Sequence, residues 1–310
     1  MLSPISTAVL ALLLGPAAVS AEADNFTIRS RTLVDSAETV NALANSDLEE
    51  AVENLNRSTY GCDEDSLYSE LRKFFANHSK GQFSKDLLFG GKAPVTPIPI
   101  KESVYREWTI RDGYLLGRKK AAESPLALTP MIRVGDSVVG VDKFEHLFGM
   151  GFIYFDHHYR RGKNLVSVLK NGIFREKTAL GGNVLATGVF SYSDLSANFN
   201  GMRFWNHVLQ KGTDVLGKSA NVGPYVVCAG GRWAVNADRP IDFRNYMDDS
   251  MDESLNCSKF ASRDGLEKFR RSLVRLGFVD DLERSVCPVE PGKLEGIRSK
   301  YAPSGVSKYL

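Results

Sequence analysis

Asp142-Lys143-Phe144-Glu145-His146 places a carboxylate and an imidazole four residues apart, and Asp194-Leu195-Ser196-Ala197-Asn198 places a carboxylate and an amide at the same interval. On α-helices, residues four apart share a face, so each segment presents two polar groups side by side. Gly149 follows the first segment, and Gly201 and Trp205 continue the face of the second. Packed together, two such helices enclose a polar pocket in Phe-rich surroundings. His146 oriented by Asp142 has the makings of a general base, with Glu176 or Asp194 as acid. Asp142 and His146 could instead share a divalent metal with Asp194 as third ligand, although no metal-site spacing of a recognised kind is present and nothing specifies a cofactor. Asn198, Trp205 and Tyr192 are the candidate binding residues.

The bland alternative is architectural. Asp142…Glu145 and Ser191…Asp194 both read as capping boxes that satisfy free N–H groups at helix starts. Capping leaves His146 and Asn198 unexplained. Buried without partners, each would cost about 1–3 kcal/mol, so they must bond to neighbours.

Other motifs carry less. Gly212-Thr-Asp-Val-Leu-Gly217-Lys218-Ser219 matches the phosphate-loop pattern letter for letter, but a helix precedes it and a strand follows. The motif works only between an entering strand and a leaving helix, so no nucleotide is expected. Asp248-Asp249-Ser-Met-Asp252-Glu253 echoes a Mg²⁺-binding acidic motif without its partner, and reads as a solvated face. Sequons stand at Asn25, Asn56, Asn77 and Asn256.

The elements that must position these residues are mostly helical. Apolar spacing predicts helices over 47–56 and 66–75, then a hairpin at 131–139 turning on Gly135-Asp136. A helix from Asp142 to about Tyr159 is apolar nearly all round and therefore buried. Further helices are expected at 164–171, 191–210, 244–256 and 262–277, with a strand at 225–228. The tail from Pro288 has little to bury. The fold class is mainly α: an irregular helical core with short β-hairpin and strand pieces, stapled by disulfides. The divisions are a leader at 1–21, a helical region at 22–90, a Pro-rich linker and connecting segment at 91–130, a main helical domain at 131–287 and a tail at 288–310.

Residues 8–14 (AVLALLL), then Gly15-Pro16 and small residues to Ala21, read as a secretory signal cleaved near Ala21. The apolar run is far shorter than the about 20 residues of a span, and no later run is long enough. The four cysteines, Cys62, Cys228, Cys257 and Cys287, suit an oxidising compartment. Proximity in the chain favours Cys228–Cys257 and Cys62–Cys287. The 310 residues are 43% hydrophobic and 25% charged with a net charge of +2, which fits an ordinary globular chain and gives nucleic acid no concentrated basic field.

Asp142-Lys143-x-x-His146, then Glu176, then Asp194-x-x-Ala197-Asn198-x-x-Gly201 resembles the VanZ-like and YfiM-like cell-envelope proteins over about residues 141–205. The lack of a span places the resemblance with the periplasmic branch. It implies an envelope context, periplasmic or secreted, with envelope glycan or lipid as the partner class. Two readings stay open: a binding or structural protein with a buried Asp/His/Asp/Asn cluster, and an envelope hydrolase using His146 with Asp142 and Asp194 or Glu176, metal-assisted or not. A third, partner binding through Tyr246–Glu253, rests on aromatic and acidic residues alone.

Overall fold

The computed structural model describes residues 22–58, 61–177, 183–279 and 287–310. The expected leader, with Ala21, lies outside them. The chain is about 51% helical, in agreement with the mainly α reading. In chain order the elements are α1 (Asn25–Ile28), α2 (Ala37–Ser58), α3 (Glu64–Phe74), α4 (Gln82–Leu88), α5 (Lys119–Ala122), β1 (Met131–Val134), β2 (Ser137–Gly140) and α6 (Asp142–Phe155). They continue as α7 (Leu165–Lys177), α8 (Asn183–Thr187), β3 (Val189–Phe190), α9 (Tyr192–Leu209), β4 (Val226–Ala229), β5 (Arg232–Val235), β6 (Lys259–Phe260), α10 (Arg263–Arg275) and α11 (Pro291–Tyr301). The strands form three separate antiparallel pairs, β1–β2, β3–β6 and β4–β5. Among the described residues no helix is long and apolar enough to cross a membrane.

Two helices form the centre. α6 buries Phe144, Leu147, Phe148, Tyr154 and Phe155, and passes directly into a π-helical turn at Asp156–Arg160. α9 begins at Ser191, whose hydroxyl accepts from Asp194 N (3.1 Å), and ends at Gln210 with φ 48°. Rings from both pack with those of other segments. Phe148 lies 5.1 Å from Phe75, 5.3 Å from Phe83 and 5.3 Å from Phe204, and Phe243 closes on Phe144 at 5.0 Å. α2 and α3 cover this core with Val40, Ala44, Leu48, Leu67 and Leu71, apolar residues at helical spacing.

The central helices cross where Gly151 meets Gly201. A Cβ on Gly151 would stand 2.5 Å from the Gly201 Cα, and one on Gly201 would stand 2.0 Å from the Leu147 carbonyl oxygen. Only glycine allows the backbones this close. Gly201→Ala is therefore expected to push the pair apart and cost about 2 kcal/mol, read as a lower denaturant midpoint. A midpoint unchanged from wild type would contradict the close contact.

A smaller second core gathers Phe26, Ile98, Val104, Tyr105, Trp108, Leu128, Phe269 and Leu273. Ile98, Val104, Tyr105, Trp108 and Leu128 of the Pro-rich linker and connecting segment thus share a core with Phe26 of α1 and with Phe269 and Leu273 of α10.

Three expectations fail. Residues 244–256 form no helix but two short 3₁₀ turns, Phe243–Asn245 and Asp249–Met251. Asp242, Asp248 and Asp252 each turn their carboxylates onto the backbone N–H two residues ahead, which competes with helical bonding. The tail also has something to bury: α11 carries Tyr301 inward, where its hydroxyl donates to Asp248 Oδ2 (2.6 Å) and accepts from Asn200 Nδ2 (2.8 Å).

The third correction concerns the disulfides. The pairs are Cys62–Cys228 and Cys257–Cys287, not Cys228–Cys257 and Cys62–Cys287. The β4–β5 hairpin packs on the end of α2, where the Asn56 side chain bonds both Trp233 O (2.8 Å) and Trp233 N (3.1 Å). That docking brings Cys228 to Cys62. Cys287 meets Cys257 because Val289 N pairs with Ser254 O at 2.9 Å. Distance along the chain was a poor guide to distance in space.

Candidate functional site

The first turns of α6 and α9 do meet. His146 on α6 points its Nε2 at Asp194 Oδ2 (3.2 Å) and its Nδ1 at Asn198 Oδ1 (3.1 Å). One imidazole thus reads the four-residue pair of the facing helix, as the spacing predicted. Neither capping box closes. α6 has Val141 at its N-cap with no side-chain bond, and Glu145 turns away to accept from the His78 backbone N–H (2.6 Å). At α9 the Ser191 hydroxyl caps the helix, but the Asp194 carboxylate goes to the cluster.

The centre of the cluster is a residue the motif contained and the sequence reading passed over. Lys143 is completely buried. Its ammonium donates to Asp194 Oδ1 (2.5 Å), Asp142 Oδ2 (2.7 Å) and Glu253 Oε1 (3.1 Å). Three donors meet three carboxylates, which is full satisfaction for an ammonium. Glu253 also accepts from the hydroxyls of Ser191 and Ser193, each at 3.2 Å. The segment read as a solvated acidic face therefore supplies an interior carboxylate. Glu22 adds another close by, accepting from Thr187 Oγ1 at 2.6 Å.

The electrostatics follow from burial. Burial opposes charge on Lys143, yet Asp142, Asp194 and Glu253 overcome it and hold the ammonium well above its usual range. Burial likewise opposes charge on His146, and Asp194, with Glu176 behind it, lifts its pKa to about 9. Asp194 is driven down despite burial, because His146 and Lys143 both face it. Burial raises Asp142, which Lys143 only partly offsets. Burial and the charges of Asp194 and Asp142 push Glu253 up to about 7. Glu22 is raised well above the usual carboxylate range by burial and by the Glu253 and Asp194 charges.

The other candidates divide. Glu176 is buried and acts on His146 through its charge. Trp205 is buried and its indole N–H donates to Phe148 O (3.1 Å), which ties α9 to α6 away from the cluster. Tyr192 is half-buried with Lys259 Nζ on its hydroxyl (2.5 Å), outside the cluster.

Among the described residues, Asp142, His146 and Asp194 are the one group of three whose ligand atoms lie within 4.8 Å of one another. The Lys143 ammonium, however, already bridges the two carboxylates that such a set would turn toward an ion. It performs the charge neutralisation a divalent cation would perform. All six charged or imidazole members, Asp142, Lys143, His146, Glu176, Asp194 and Glu253, are at most 5% exposed.

The phosphate-loop lookalike is not built as one. Gly212 follows α9, and only the three-residue 3₁₀ turn Lys218–Ala220 comes after. Its Asp214 enters a second buried network, with Arg203 Nε (2.9 Å) and His207 Nε2 (2.9 Å) on one oxygen. Comparison with known proteins finds no matching family model, no matching curated protein and no matching solved structure.

Proposed function

We propose that the protein is exported to the cell envelope, periplasmic or secreted, and acts there by binding, on a helical scaffold locked by its interior ionic cluster. Support for export comes from the residue 8–21 pattern and from two formed disulfides, which suit an oxidising compartment. The observation that carries the scaffold role is the Lys143 ammonium, buried and matched donor for donor. His146 supports the same reading. Its ring nitrogens face Asp194 and Asn198 oxygens and its pKa is raised to about 9, which favours the imidazolium, a form with no lone pair with which to act as a base.

The hydrolase reading retains one favourable observation, the proximity of Asp142, His146 and Asp194. It requires His146 to lose a proton that its surroundings hold to about pH 9.

The two readings separate on pH. The folded pKa of His146 lies above its usual 6.5, so its contribution is complete below pH 6.5 and is lost as pH rises through about 9. Glu253, raised from 4.5 to about 7, adds a loss between those values. The thermal midpoint is expected to fall steadily from pH 5 to 9. His146→Gln is expected to flatten the limb above pH 6.5, a difference on the order of 3 kcal/mol. A folded His146→Gln chain that keeps the wild-type stability profile, yet loses a glycan- or lipid-hydrolysing activity the wild type shows, would overturn the scaffold reading.

A further inference from the structure

The second core carries an open groove of about 760 Å³ between the segments 95–101 and 122–130. Ile98 and Leu128 form part of its floor, and four prolines, Pro97, Pro99, Pro125 and Pro130, stand in its walls. The volume is that of a small-molecule site. Thr96 and Met131 exchange backbone hydrogen bonds (2.7 and 2.8 Å) and tie the two walls together.

The walls say what the groove suits. Proline has no N–H, so this lining offers few donors to a peptide strand lying in it. Among the described residues no aromatic ring lines it, so a sugar would find no flat face there to pack against. Hydrocarbon needs neither. At the rim stand Lys101 and Arg106, both exposed, and neither has a carboxylate at ion-pair distance among the described residues. Their neighbours Glu102 and Glu107 are drawn off to Arg31 and Arg271. Arg275, anchored on the Ser103 carbonyl at 3.0 Å, extends the positive side; burial and the Arg106 charge lower its affinity for a proton. Among the described residues of the lining, Glu123 is the one opposing charge.

We propose that this groove binds a single-chain amphiphile with an anionic head, the acyl chain lying over Ile98 and Leu128 and the carboxylate or phosphate held by Lys101 and Arg106. The groove is distinct from the ionic cluster, and the proposal does not depend on the scaffold reading.

The test is displacement of a fluorescent fatty acid, cis-parinarate, from the full chain. Palmitate and lysophosphatidylglycerol below its critical micelle concentration are expected to displace it, and butyrate and dodecyltrimethylammonium are not. Lys101→Glu with Arg106→Glu is expected to weaken palmitate about tenfold or more, and Glu123→Gln to leave it equal or tighter. All three positions are exposed, so the variants should keep the wild-type thermal midpoint, which is measured alongside. Ile98→Glu is expected to abolish binding, and Ile98→Leu to retain it. Absence of saturable binding, equal displacement by the cationic amphiphile, or undiminished affinity in the double charge reversal would each overturn the proposal.

Discussion

Lys143→Met is expected to destabilise the protein by about 3–5 kcal/mol, because it removes the cation that Asp142, Asp194 and Glu253 share and leaves three carboxylates facing one another in the interior. For a chain of this length the thermal midpoint should drop by about 10 °C. The loss should shrink as the pH is lowered, since protonated carboxyls no longer repel. Arginine at the same place is not conservative, because its planar fork cannot meet three acids arranged around one point. Combining Lys143→Met with Asp194→Asn should recover part of the deficit, and the double-mutant cycle gives the coupling. A single-variant loss under about 1 kcal/mol would show that the ammonium is not the centre of the core.

Cys62→Ser with Cys228→Ser is expected to cost about 5 kcal/mol, against about 3.5 for Cys257→Ser with Cys287→Ser. The first bond closes a separation of 166 residues and the second one of 30, and the entropy removed from the unfolded chain grows with the logarithm of the loop. Denaturant unfolding of the two pairs, with thiol counting to confirm that the remaining bond is intact, gives the comparison. Mass spectrometry of unreduced peptides checks the pairing directly. A peptide joining Cys228 to Cys257 would sink both the assignment and the ranking.

The helices with one-sided apolar spacing were legible from residue types alone. Leu67, Leu71 and Phe74 marked α3, and Phe269 and Leu273 marked α10, because a repeating apolar stripe has few other uses. The meeting of His146 with Asp194 and Asn198 was legible for a related reason: a polar pair inside a Phe-rich helix needs interior partners, and the facing i,i+4 pair supplies them for the imidazole. Lys143 was missed although it lies inside the same motif. A lysine is ordinarily placed at a surface, and recognising it as interior requires knowing that its acids come from Asp194 and Glu253, 51 and 110 residues away. Glu253 was misplaced because local acidity resembles solvation until the segment is seen turning inward on the Asp248 and Asp252 backbone bonds. The disulfides failed on the same ground, since their geometry depends on where a distant hairpin docks.

The three acids around Lys143 come from three separate stretches of the chain: one beside it, one on the facing helix, one on a loop after the β4–β5 hairpin. An intermediate that has assembled the helices but not the loop must either keep water on the ammonium or strip it at a loss. Dehydration of that one nitrogen is therefore compensated only when all three acids are in place. The cluster thus favours the completed arrangement over partly assembled ones.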